Sequence, residues 1–324
     1  MKKGCLIVLI VLAVLFTLVV VAGVVGFNML DKEFGIRMAP EISHETLATN
    51  NTRIRMVIKP ELLAPYLVEY IPKDVEINTH GFEMQEILNQ VLPREVAVLA
   101  RSDMAARKFF LTLFANEKRG GPFISAAVNQ EDPFAKIKQI AWKTAGLELQ
   151  GRGSLVAEGD LSIPAGVDQE LVKLWPTRSQ QPPAAIQGNN QLELVIDNRN
   201  GDILALAAAA AGASGKTWEE VRREQAANMA IGVIESIDVA RIAANMTDKD
   251  TAEITLNIDA NPDTGPGLQF LIASVGLPKL KDILKEDYNL ILEGDAIWDD
   301  TKKAVVGNFT LKGLEAFVKE RMAA

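Results

Sequence analysis

The residues most able to do chemistry stand in a few short stretches. Ala210-Ala-Gly-Ala-Ser-Gly-Lys216-Thr217 ends in the Gly-Lys-Thr of a relaxed phosphate loop. In such loops glycine N–H groups cradle phosphates, the lysine reaches the terminal phosphates and the threonine holds Mg²⁺. Here the first position is Ala210 instead of glycine, and the preceding alanine run favours helix over the strand that must lead into the loop. The stretch therefore reads as a helix end at Gly212 followed by an N-cap at Thr217, with no nucleotide bound. Asp259-Ala-Asn-Pro-Asp263-Thr-Gly265 has the 1, 3, 5 oxygen spacing of a calcium loop. Thr264, however, takes the glycine position, and Phe270 replaces the closing bidentate glutamate. It reads as a turn.

Glu-Gly-Asp occurs twice, at Glu158–Asp160 and Glu293–Asp295. Paired carboxylates work as acid and base when their environments push their pKa values apart. On an alternating strand each pair shares one face across a glycine, which suits a solvated surface with a bulge. Asp299-Asp300 beside Trp298 reads as a turn, and the sequon Asn308-Phe-Thr310 matters only in a glycosylating cell. Two histidines, His44 and His80, and one cysteine, Cys5, complete the reactive inventory. Beyond Cys5 there is no thiol for disulfides, nucleophilic catalysis or zinc, and two histidines cannot build a His-rich metal centre. Both histidines sit in polar surroundings and read as solvated loop residues. The sequence thus assigns no catalytic, cofactor-binding or metal-ligating residue.

What positions these residues begins with an anchor. Leu6 to Phe27 carry no charge, and 17 of the 22 are Leu, Ile, Val or Phe. At about 1.5 Å per residue they span about 33 Å, enough for a hydrocarbon core of about 30 Å. Lys2 and Lys3 keep the N-terminus cytoplasmic, so the remainder is expected outside the cytoplasm, periplasmic where an outer membrane exists. A cleaved signal peptide fits less well, because its apolar core is shorter and Val24-Val25-Gly26 is a poor cleavage site. Cys5 precedes the apolar run, which excludes a lipid-modified cysteine.

Residues 1–30 are then the transmembrane anchor and 31–51 a juxtamembrane linker. A Pro/Gln-rich stretch, 176–190, separates two α+β repeats, 52–175 and 191–324. Each repeat opens on an alternating strand, Arg53–Ile58 or Gln191–Ile196. Each continues with helical stretches (Leu62–Ile71 and Phe82–Leu92; Ile203–Ala211 and Trp218–Met229) and a strand (Glu95–Ala100; Ala230–Glu235). Hairpins follow, 108–115 with 122–128 and 240–246 with 252–258, then helices 134–144 and 268–285, the latter kinked at Pro278. Strands carrying Glu-Gly-Asp come next, and helices 167–175 and 311–321 end the copies, with a strand at 304–310 added in the second. At an offset of 135 residues, 10 of 65 positions from Val96 to Asp160 are identical, so the duplication rests on element order. Such hairpins and intervening helices imply two tandem lobes, each an antiparallel sheet covered by helices.

The net charge of −8 and dispersed basic residues argue against a nucleic-acid partner, and 6% aromatics against a carbohydrate-stacking surface. The expected function is a membrane-anchored binding or scaffold protein of the cell envelope without catalytic activity or cofactor. Its partners are the membrane and another envelope protein or an apolar ligand. The first alternative is a carrier of lipid or another apolar ligand, suggested by Phe109, Phe110, Phe114, Phe123 and Phe134. The second is a carboxylate-dependent hydrolase.

Overall fold

The structure, a computed structural model, describes residues 37–40, 43–68, 83, 85, 94–103, 105–116, 153–163, 184–203, 205–206, 217–223, 234, 236–260 and 262–323. Strands β1 (Arg37–Pro40), β2 (Thr52–Ile58), β3 (Val96–Asp103), β4 (Lys108–Asn116) and β5 (Gly153–Ser162) come from the first half of the chain. Strands β6 (Leu192–Asp197), β7 (Ile237–Met246), β8 (Thr251–Ala260), β9 (Ile291–Asp299) and β10 (Ala304–Lys312) come from the second. All ten belong to one sheet in the order β1-β5-β4-β3-β2-β6-β7-β8-β10-β9. Every neighbouring pair is antiparallel. The antiparallel sheet with helices is as expected. The halves do not form separate sheets, because β2 pairs directly with β6 from Ile54↔Ile196 to Ile58↔Leu192.

Alternation along each strand divides the side chains between two faces. One face carries Ile54, Ala100, Phe109, Leu194, Ile196, Ala240, Ile258, Val305 and Phe309 and forms the main core. Over its second-half part lie α4 (Gly265–Leu271) and α5 (Leu277–Tyr288), which supply Leu268 and Leu277 to that core. A π-helical turn, Ile272–Gly276, joins them just before Pro278. Proline has no N–H for the ladder, so the expected kink takes the form of one widened turn. The opposite face buries Val57, Ala97, Phe114 and Val156 beneath Leu47 of α1 (His44–Leu47) and Ile186. Further helices among the described residues include α2 (Pro60–Leu67), α3 (Trp218–Arg223) and α6 (Leu314–Ala323).

Several element boundaries differ from expectation. Ile234 and Ser236 are helical and the strand begins only at Ile237, so the strand expected at 230–235 is displaced. Ile234 enters the main core, and the rest of 230–235 lies outside the described residues. Strand β4 pairs with β3 in a hairpin and follows turn residues 105–107. The segment 122–128 lies outside the described residues, as do the helices expected at 134–144 and 167–175, most of 82–92, and the anchor. Among the described residues no helix is long and apolar enough to cross a membrane. Leu311 and Lys312 still belong to β10, and α6 starts after Gly313, whose φ of +95 turns the chain.

Candidate functional site

Alternation puts Arg55 of β2 and Glu193 and Asp197 of β6 at strand positions opposite the main core, and all three are buried, as is Arg53 at the register shift of β2 against β3. Arg55 lies directly across from Val195, so Glu193 and Asp197 flank it on the diagonals. Buried carboxylates must be hydrogen-bonded, and these two are held by the stretch expected to separate the halves. Glu193 accepts from the N–H groups of Gln187 (2.7 Å) and Gly188 (3.3 Å) and from the Asn190 amide (3.2 Å). Asp197 accepts from the Ala184 N–H at 2.9 Å and from Arg199 Nε at 2.9 Å. Lys59 donates to the Gly188 carbonyl. Residues 184–190 are therefore a strap laid across β2 and β6, with Ala184 packed on Val195 and Val239. Proline and glutamine pointed to a linker, but these carboxylates give its backbone donors a buried destination.

Burial opposes ionisation of Asp197, yet the Arg199 guanidinium and the Ala184 N–H hold its carboxyl below the usual carboxylate range. Burial also lowers the Arg55 guanidinium, partly countered by Asp197, Glu45 and Glu193. Arg55 Nη2 is buried without a hydrogen-bond partner. Three surrounding carboxylates give the wrong field for an anion site, so the arrangement reads as a balanced charge cluster.

His44 opens α1 and is also buried, which corrects the expectation of a solvated loop residue. Its main-chain N–H donates to Glu95 Oε1 and its ring Nδ1 to Oε2, both at 2.8 Å. Glu95 is 51 residues away, so no local pattern announces the clamp. Burial raises the Glu95 pKa, but the two His44 hydrogen bonds outweigh it and leave the carboxyl lower than usual. A carboxylate orienting an imidazole is the geometry of an acid–base dyad or of a metal ligand. Here Nε2 is buried without a partner, and among the described residues no three His, Cys, Asp or Glu side chains converge on a metal position. A second buried pair ties the halves together. Asp202 is fully buried, and its Oδ2 accepts from Arg53 Nε and Ser102 Oγ, both at 2.5 Å.

The expected site residues are dispersed. Thr217 caps α3 in a reciprocal box with Glu220: Thr217 N–H donates to Oε2 at 2.8 Å and Glu220 N–H to Thr217 Oγ1 at 3.3 Å. Lys216 and His80 lie outside the described residues. Asp259 belongs to β8 and pairs with Arg241 Nη1 at 2.7 Å, which commits the first ligand of the calcium pattern to an ion pair. The Glu-Gly-Asp carboxylates face bases instead of each other: Asp160 meets Lys108 at 2.5 Å and Glu293 meets Lys312 at 2.7 Å. These two strands do not occupy equivalent places in the sheet, which corrects the matching of the two Glu-Gly-Asp strands within the expected repeat. Counted outward from β2 and β6, β5 is fourth and β9 is fifth, because β10 inserts beside β8. Asp299 and Asp300 cap the β9–β10 turn, accepting from Thr301 N–H and from the Trp298 indole. Phe109 and Phe110 are consecutive and so point to opposite faces. Phe109 enters the main core, Phe114 the other one, and Phe110 lies against Arg101 at 5.6 Å. The three are thus divided between the two faces of the sheet, and Phe123 and Phe134 lie outside the described residues. The buried charges Arg53, Arg55, Glu193, Asp197 and Asp202 were not singled out from the sequence, although Arg-Ile-Arg and Leu-Glu-Leu in short alternating strands carry the signal.

No family model matches the chain, and no curated protein matches it. Among solved structures, crystal form I of TP0453 aligns with 9% identity and a TM-score of 0.31, over 86% of this chain and 96% of that one. Crystal form III gives 11% and 0.29, over 83% and 94%. Likeness at this level carries no argument about fold or function.

Proposed function

We propose that this chain is a membrane-anchored, extracytoplasmic binding or scaffold protein of the cell envelope, without catalytic activity, that engages its partner through the second half of the sheet. The observation that carries this reading is an open sheet face. On the side away from α4 and α5, strands β8, β10 and β9 expose Glu253, Thr255, Asn308, Glu293, Asp295 and Ile297. Cross-strand register sets Thr255, Asn308 and Asp295 in one row and places exposed Ile297 beside half-buried Val306 and Asn257. Strand β1, nearest in sequence to the apolar segment, lies at the other margin of the sheet. Nine inter-strand steps of about 4.8 Å separate the two margins by about 43 Å. A tether at one end and a free face at the other suit a protein that presents a surface away from its membrane.

We read the halves as copies, supported by the outward order β2-β3-β4-β5 on one side and β6-β7-β8-β10 on the other. The topology is tested with Thr255→Cys in a Cys5→Ala background. An impermeant thiol reagent should label it in cells whose outer barrier is opened, and the protein should stay in the membrane fraction. Labelling only after lysis of the inner membrane would overturn the assignment.

A further inference from the structure

No further inference is drawn: the strongest candidate, the free edge of the sheet at β9 with Ile291 and Ile297 exposed, is an unpartnered surface whose carboxylates Glu293 and Asp295 already meet Lys312 and Lys281, and nothing in the structure shows what covers it.

Discussion

Gly294 and Gly267 differ in what a single methyl group would meet. Gly294 has φ of +118, and a Cβ there would lie 2.2 Å from the Asn308 carbonyl oxygen across the strand pair. Gly294→Ala should therefore cost about 1–3 kcal/mol, read from the urea midpoint. Gly267 is inside α4 with nothing within 4 Å of such a Cβ, so Gly267→Ala should be neutral or stabilising by up to about 1 kcal/mol. Equal effects at the two positions would contradict the strand geometry. Asp197 and Glu95 make the second residue-scale case, since both carboxyls lie below their ordinary range. Their contribution is fully present above the unfolded values of about 4 and is lost as pH falls through the folded ones. Asp197→Asn should cost about 1–3 kcal/mol at neutral pH and flatten the acid limb of the stability curve. An unchanged acid limb would show that the strap does not depend on that charge.

At the scale of elements, β9 shows how an edge strand is managed. Lys281 donates to the Gly294 carbonyl at 2.7 Å and Gln269 to that of Ala296 at 3.1 Å, so helix side chains occupy two of its acceptors. Leu292 is 8% exposed and Asp295 83% by side chain. Leu292→Ala should cost about 2–4 kcal/mol and Asp295→Ala under about 1 kcal/mol. The reverse order in thermal denaturation would place the strand on the wrong face. The alternation of β2, β6, β8 and β10 was legible in the sequence because it follows from period 2, and Thr217 was legible because a cap is local. Strand order was not, since the repeated Glu-Gly-Asp says nothing about which neighbour a strand finds. The clamp of His44 on Glu95 and the strap over Glu193 were hidden for the same reason: each joins residues whose pairing depends on the finished sheet.

The ten described strands form one sheet with the two sequence halves joined at β2 and β6, and Asp202 locks that junction to Arg53 and Ser102. Removing one partner of a buried ion pair costs about 3–5 kcal/mol. Asp202→Ala should thus lower the stability of both halves together, with hydrogen exchange in β3 and β8 reporting one transition. Loss of protection in β8 at conditions that leave β3 intact would mean the halves fold independently.

The proposed role itself places binding on the open face far from the tether. Its most direct test is a photo-crosslinking amino acid introduced in native membranes at Thr255 or Asn308, with Glu286 on the solvent side of α5 as the control position. All three are exposed, and only the first two lie on the open face. The expected result is one adduct of the same size from Thr255 and Asn308 and none from Glu286. No adduct from the open face, or the same adducts from all three positions, would contradict the assignment.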